Sequence, residues 1–461
     1  MYRVAHYFKV SLLLNLYINM TIKQFEYAPL AHYSYAIVSE GEMAIIDPER
    51  DPLQYYRYAN NFNAKIVAVI ETHPHADFVS SHLQIHQETG ATIYNSKKLG
   101  ADYPYQSFDE GNTITLGKIT LSAINTPGHS PDSITVIAKD DVQTVLFTGD
   151  TLFIGDVGRP DLREKAGNMT AMRQELAEMM YDTIQNKFTH LPDDALVYPA
   201  HGAGSLCGKN ISSDNSSTLG NERMGNWAFK EQSKEEFVHT LLDSQPFIPS
   251  YFGFNVDINK TGADNMRKAL SKVPFSLNKN VEGMIVDIRD EGTFKKGHLP
   301  GSYNIQATSE NSKFETWLGA IIEPKEKFHL VIGKPDDLQS VLERVAKIGY
   351  ETQLESVITL DSKNLKQSEL LDVQDFKNNP AKYTIVDIRN QSEINAGKIF
   401  DTALGHPLND LRNSYRDIPT DKPIVVHCAG GYRSAAGTSI LESLLDEATV
   451  YDLSDHIKDF T

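Results

Sequence analysis

From Gln24 onward the chain sets short apolar runs between turn residues. Runs at 34–38 and 43–47 flank Glu40-Gly41-Glu42, a hairpin signal, and 52–61 reads as a helix. The apolar run 66–70 reads as a buried strand and leads directly into Thr72-His73-Pro74-His75-Ala76-Asp77-Phe78. Short strands resume at 92–94, 113–116 and 119–121, and the apolar runs 145–147 and 196–198 add two more. Strands separated by occasional helices predict a layered sheet with helices packed outside. After the Asn/Ser-rich loop 210–218, residues 235–242 read as an amphipathic helix closing this region, and Pro246 and Pro249 lead out of it.

An internal repeat fills the remainder. Met284-Ile285-Val286-Asp287-Ile288-Arg289-Asp290 matches Thr384-Ile385-Val386-Asp387-Ile388-Arg389-Asn390, and each is followed by a short polar helix and a turn at Gly297-His298 or Gly397-Lys398. The expected domains are therefore 20–255, 256–360 and 361–461.

Four strand ends in the first domain carry ligand-type side chains. His73, His75 and Asp77 alternate along one turn, so they can converge on an ion if other segments complete its shell. Thr126-Pro127-Gly128-His129-Ser130 projects a histidine from a Pro-Gly turn. Thr148-Gly149-Asp150-Thr151 and Pro199-Ala200-His201-Gly202 end the runs at 145–147 and 196–198. Each alone reads as a surface turn. Four in this order argue for a metal centre.

These motifs resemble those of the metallo-β-lactamase superfamily across about residues 20–250, which implies an αββα sandwich with the metal in a cleft at one edge of the two sheets. The usual cluster in that superfamily, H-x-H-x-D-H, ends here in Phe78, and a benzyl group cannot ligate the second metal. The sequence is similar to the persulfide dioxygenase branch. That resemblance implies one ferrous ion per chain on His73, His129 and Asp150, with His75, Asp77 and His201 orienting ligands and waters around them. The alternative, His75 as a direct ligand, belongs to the zinc hydrolases. Within Phe153–Leu162, also similar to this branch, Arg159 is the candidate grip for an anionic thiol carrier, and Tyr198 offers a cleft hydroxyl. Cys207, in Gly202–Lys209, is a candidate redox or sulfur-relay residue; its competing reading is an inert small hydrophobe.

Both repeat copies resemble rhodanese domains, small α/β units with a central parallel sheet, through V-D-I-R and, in the first copy, Gly297-His298-Leu299-Pro300-Gly301. In the second copy an apolar strand ends in Cys428, followed by Ala429-Gly430-Gly431-Tyr432-Arg433 and a helix expected over 435–445. Glycines can turn backbone N–H groups inward as an anion nest, and the helix N-terminus adds positive potential. Both favour a thiolate and a persulfide anion, so Cys428 with Arg433 is the expected sulfur-transfer site. The first copy has no cysteine: its strand 328–332 leads into Gly333-Lys334-Pro335-Asp336-Asp337, which points to a spacer, docking surface or carrier-binding module.

Size and charge narrow the setting. With 461 residues, several domains are expected. A formal net charge of −17 disfavours nucleic acid and anionic membranes as partners. Two cysteines far apart suit a reducing cytoplasm rather than a disulfide framework. Arg3 and Lys9 precede an apolar run at 10–18 that is interrupted by Ser11 and Asn15, too short to span a bilayer and without a small-x-small cleavage site, so Met20 is the expected start. The resulting expectation is an iron dioxygenase joined to a sulfurtransferase. The resemblances imply that it takes a small thiol persulfide, dioxygen and sulfite, makes thiosulfate, and assembles as a homodimer or homotetramer. The alternative is a zinc thioester hydrolase of the glyoxalase II type fused to a rhodanese.

Overall fold

The structure, a computed structural model, describes residues 19–162, 172–309, 312–445 and 447–461. The apolar run at 10–18 and the choice of start lie outside the described residues, apart from Met20, which is buried. Among the described residues no helix is long and apolar enough to cross a membrane. The chain forms two compact units: residues up to Gln245 with Gly253–Asn265, and Pro246–Phe252 with Met266–Thr461. The boundary expected at 255/256 falls within the helix Tyr251–Thr261, and the two repeat copies share the second unit.

In the first unit, six strands lie side by side in chain order: Thr21–Tyr27, His32–Ser39, Glu42–Ile46, Lys65–Ile70, Thr92–Asn95 and Gln106–Ser107. The next six, Thr113–Leu116, Ile119–Asn125, Ile134–Lys139, Thr144–Gly149, Leu196–Pro199 and Ser217–Thr218, form a second sheet in the same manner. The predicted hairpin is present, with Glu40 at φ 47° and Gly41 at φ 79°, the two positive dihedrals that a tight twisted turn needs.

Strand periodicity explains why these strands read as continuous apolar runs. Tyr35, Ile37, Ala44, Ile46, Ala68 and Ile70 point into a core shared with Leu121, Val136, Val145 and Phe147 of the second sheet. Their neighbours Ala36, Val38, Met43, Ile45 and Val69 face the other way, onto the helices Leu53–Asn61 and His82–Thr89. On the second sheet, Leu146 and Val197 face Met180 and Phe237 of the helices Arg173–Asn186 and Lys234–Leu242. Both faces of each sheet are thus covered, giving helix, sheet, sheet and helix layers. The last helix begins with a reciprocal cap, Ser233 to Glu236 N–H and Glu236 back to Ser233, worth about 1 kcal/mol.

The second unit holds two parallel sheets. One runs in the order Phe275–Ser276, Leu354–Ile358, Phe328–Val331, Ile285–Asp287, Tyr303–Asn304. The other runs Leu404–Gly405, Thr384–Asp387, Ile424–His427, Val450–Asp452. Apart from the added edge strand Phe275–Ser276, the two orders are the same read from opposite ends, as the sequence repeat predicts.

Candidate functional site

The strand Lys65–Ile70 delivers the histidine-rich turn, and Asp47, ending the neighbouring strand, fixes it. Asp47 accepts hydrogen bonds from Thr72 N (2.7 Å) and Thr72 Oγ1 (2.8 Å), and its own N–H reaches Ile70 O. Residues 71–81 are all buried, so each polar group there must find a partner inside the protein. Asn259, far along the chain, supplies several: Nδ2 donates to His75 O and Phe78 O, both at 2.8 Å, and Oδ1 accepts from Ser80 N.

His73, His129 and Asp150 come together from three strand ends, with one ligand atom of each within 4.8 Å of the others. His73 Nε2 and His129 Nε2 lie 3.6 and 3.5 Å from the same oxygen, Asp150 Oδ2. The hydrogen bonds on the far side of each ring set the tautomers. Thr72 Oγ1 gives its proton to Asp47, so it accepts from His73 Nδ1 (3.0 Å); Arg159 O can only accept, so His129 Nδ1 donates to it (2.8 Å). Both Nε2 lone pairs are left facing Asp150 Oδ2, itself buried without a hydrogen-bond partner. Burial, then His75, hold His73 well below the usual imidazole range, and burial lowers His129. Burial disfavours charge on Asp150, but His201 and His73 hold its carboxyl well below the usual range. Two neutral imidazoles and a carboxylate aimed at one point, with no proton between them, fit a divalent cation.

The backbone approaches this point closely. A Cβ on Gly158 would stand 1.9 Å from Asp150 O and 3.0 Å from His129 Nδ1, and one on Gly149 (φ 53°) would stand 2.5 Å from Thr72 Oγ1.

Of the three ligand types on the first turn, only His73 joins this group. His75 Nε2 lies 3.1 Å from Asp47 Oδ1 and 3.5 Å from Glu71 Oε2, while its ring packs 4.2 Å from that of His73. Burial opposes its charge, but Asp47 raises His75 above the usual imidazole range. Nε2 thus faces Asp47 and Glu71, and the three side chains form a further ligand-type group apart from His73, whereas the sequence suggested a role orienting metal ligands. His201 does have that geometry: Nδ1 lies 2.7 Å from Asp150 Oδ1 and Nε2 lies 2.8 Å from Asp77 Oδ2. Burial opposes its charge too, yet Asp150 and Asp77 hold it well above the usual range, as an imidazolium between two carboxylates. Phe78 is fully buried, its ring 3.9 Å from that of His32 and 4.4 Å from that of His75.

Three expectations change. Arg159 is 1% exposed and cannot grip a carrier in solution: Nε and Nη2 bind Asp161 (2.6 and 2.8 Å) and Nη1 binds Leu206 O, while its carbonyl orients His129. Tyr198 packs into the inter-sheet core against Tyr35 and Phe147 instead of lining the ligand group. The Cys207 loop is pinned, with Cys207 O accepting from Arg159 N and Cys207 N–H bound to Ser205 Oγ. Its thiol stands with Asp77 and His201 in a second ligand-type group. Burial, then Asp150 and Asp77, push this thiol well above the usual range, so it is protonated and a poor nucleophile.

In the second unit Cys428 ends the strand Ile424–His427, 1% exposed, and Gly431 N–H points at its Sγ from 3.1 Å. Gly431 has φ 93°, and a Cβ there would stand 2.8 Å from Asp455 Oδ1. The helix spans Tyr432–Leu444, three residues earlier than expected, so Arg433 lies in its first turn. Arg433 pairs with Glu393 at 2.6 and 2.8 Å. Tyr432 OH donates to Gln306 O of the first copy (2.7 Å). Sequence reasoning missed Asp47, Glu71, His32 and Asn259. Asp47 carried the same signal as Asp150, an acid ending an apolar strand, whereas no local pattern marks Asn259.

Comparison with known proteins agrees with this layout. Residues 27–201 match the metallo-beta-lactamase superfamily, and residues 274–354 and 370–461 match the rhodanese-like domain. A crystal structure of a metallo-beta-lactamase from Staphylococcus aureus subsp. aureus COL is 31% identical, with a TM-score of 0.66 over 74% of this chain and 99% of that one. Persulfide dioxygenase ETHE1, mitochondrial, from Bos taurus is 29% identical over 162 residues, 35% of this chain; the match spans 59% of that relative's length. A cytoplasmic hydroxyacylglutathione hydrolase from Arabidopsis thaliana is 30% identical over 176 residues, 37% of this chain and 63% of its own.

Proposed function

We propose that this chain, which belongs to the metallo-beta-lactamase superfamily and continues into rhodanese-like domains, is an iron-dependent persulfide dioxygenase coupled to a sulfurtransferase. The observation that carries the reading is the His73, His129 and Asp150 group, with its two free imidazole lone pairs and one unpartnered carboxylate oxygen, beside a His75 committed to Asp47 and Glu71. His73, His129 and Asp150 would hold a ferrous ion, which would supply the oxygen-activating chemistry that a persulfide dioxygenase needs. Identity to the persulfide dioxygenase of Bos taurus supports the substrate class.

The chain's own residues do the rest. Asp47 and Thr72 fix His73, Arg159 O fixes His129, and His201, held by Asp77, fixes Asp150, so the ligand atoms are oriented before metal arrives. The overall conversion is a persulfide, dioxygen and water to a thiol, sulfite and two protons. At the other site Cys428 attacks the outer sulfur of a second persulfide, releasing the thiol and forming a cysteine persulfide. Sulfite then attacks that outer sulfur, and thiosulfate leaves with the Cys428 thiol restored. Gly431 N–H and the start of the helix Tyr432–Leu444 favour the anionic sulfur. The coupling is coherent because the product of one site is the acceptor at the other.

The test is Cys428→Ser with ferrous iron, oxygen and a small-molecule persulfide. Oxygen uptake should persist while sulfite accumulates in place of thiosulfate; unchanged thiosulfate output refutes the coupling. The second reading, a thioester hydrolase with two metals, draws on the hydroxyacylglutathione hydrolase relative and on the second group at Asp77, His201 and Cys207. Two zinc ions per chain after anaerobic purification, with thioesterase activity and no oxygen uptake, would establish it instead.

A further inference from the structure

The cysteine-free copy keeps a cavity beside the loop that corresponds to the Cys428 loop of its sister. It has a volume of about 700 Å³ and is lined by residues that include Arg289, Asp290, Lys334, Asp337, Ser340 and Arg344. Strand register makes the correspondence explicit. Asp287 pairs with Val331, and Asp387 with His427, so Ile332 follows its strand as Cys428 follows the other. Lys334, just beyond Ile332, therefore stands where the second copy has the loop after Cys428.

Two of the cations are held in place, and the third is left to solvent. Arg289 binds Asp287 through Nε and Nη2, and Nη2 also donates to Gly297 O, leaving Nη1 without a hydrogen bond among the described residues. Arg344 is fixed by Glu315 and by Ser309 O and Ser312 O, which shapes the opposite wall. Lys334 Nζ is well exposed and only 3.9 Å from its loose partner Asp337. Three cations against two carboxylates line one cavity, and a fixed guanidinium edge beside an exposed ammonium suits an anionic group. The volume lies within the roughly 300–1,000 Å³ of pockets for cofactor-sized molecules and far exceeds a bare oxyanion.

The cavity is also tied to the sulfur-transfer loop. Tyr432, between Cys428 and Arg433, donates to Gln306 O, and the next residues, Ala307–Ser309, line the cavity. We propose that the cysteine-free copy binds the carboxylate- or phosphate-bearing end of a thiol-sized organic molecule on Arg289 and Lys334, and that Tyr432 transmits its occupancy to the Cys428 loop. The second half rests on the sulfurtransferase reading of Cys428; the binding half does not.

Calorimetric titration of the full chain carrying Cys428→Ser, without iron or oxygen, tests binding independently of either reaction. The probes are reduced glutathione for carboxylates, coenzyme A for phosphates, and sulfite as the bare oxyanion. One organic probe should bind and sulfite should not; Lys334→Glu should weaken that binding at least about tenfold, and Ser340→Trp, which fills the cavity, should abolish it. Thermal melts confirm that the variants fold. In the chain with Cys428 intact, the bound probe should change the site-resolved alkylation rate of Cys428, and Tyr432→Phe should remove that change while leaving binding intact. Absence of binding by both organic probes, or affinity unaltered in both Lys334→Glu and Ser340→Trp, overturns the site. A rate change that survives Tyr432→Phe overturns the coupling.

Discussion

The two rhodanese-like copies share a strand order and an Asp–Arg anchor, and they part company in one loop. Arg289 and Arg389 each bind the aspartate two residues earlier, Nη2 to Oδ2 at 2.5 and 2.6 Å, and each donates to a glycine carbonyl, Gly297 or Gly397, at 2.8 Å. After the matching strands, the second copy reads Cys428, Gly431 and Arg433 where the first reads Ile332, Pro335 and Asp337. Each difference removes one part of the proposed persulfide site. Ile332 has no thiol, Pro335 has no N–H to aim at sulfur, and Asp337 brings a negative charge where the second copy has a guanidinium. The scaffold is therefore neutral with respect to chemistry. The loop confers it, and the anchored arginine alone leaves a binding cavity.

The largest effect should come from carrying the first copy's proline into the second. Gly431→Pro deletes the N–H that meets Cys428 Sγ and forces a φ of 93° toward −65°, so sulfurtransfer should fall by at least about a hundredfold with oxygen uptake unchanged. Transfer from thiosulfate or a persulfide to an acceptor, assayed beside a thermal melt, measures it. Activity within a few-fold of the parent would mean that the nest is not what separates the copies.

A second difference lies at His298 and Lys398, which follow the paired glycines. His298 is buried, donates from Nδ1 to Phe294 O and stacks on the Phe294 ring at 3.9 Å, and burial pushes it down to about 4 from 6.5. The fold therefore requires the neutral ring. Stability is complete above pH 6.5 and is lost as pH falls through 6.5 toward 4, by up to about 3 kcal/mol. Lys398 instead donates from Nζ to Ala403 O. Burial also lowers His427 in the second copy, so the comparison is made against His298→Gln. Urea midpoints at pH 7 and pH 4.5 should converge in that variant, and an unchanged pH dependence would remove His298 from the account.

Arg433→Asp, again the first copy's residue, should have a smaller effect. It leaves Glu393 without its partner and replaces a guanidinium near Cys428 with a carboxylate, which should slow transfer about tenfold. Transfer assayed beside the rate of Cys428 alkylation at pH 7 measures the effect.

The comparison also shows what a sequence exposes. The ligand group and the Cys428 loop were legible because each functional side chain ends an apolar strand, a local pattern. The fate of Arg159 was not: a long cation in a loop reads as exposed, and its burial depends on Asp161 and on Leu206 O, 47 residues away. Tyr198 failed for a related reason, since the half-buried edge of a core strand looks like the wall of a cleft. Asn259 lies more than 180 residues from the turn it holds. The strand Ile134–Lys139 escaped because its interior Thr135 interrupts the apolar run, although Thr135 is fully buried and within hydrogen-bond distance of Thr126 Oγ1.

The smallest effect sharpens the comparison most. Ile332→Cys restores the missing thiol at the position that strand register assigns to it, in a site 1% exposed and next to an intact Asp–Arg anchor. If a buried cysteine beside that arginine were sufficient, the chain would gain a second transfer site, visible in a Cys428→Ser background. The loop argues otherwise. Pro335 offers no N–H, and Asp336 and Asp337 open the turn before the helix Leu338–Lys347, where like charge disfavours an anionic sulfur. Transfer by the Ile332→Cys, Cys428→Ser chain should therefore stay at background, with a thiol that alkylates slowly at pH 7. Adding Pro335→Gly and Asp337→Arg should bring measurable transfer and faster alkylation. Activity from the single cysteine alone would place the chemistry in the scaffold after all, and the loop would then only tune it.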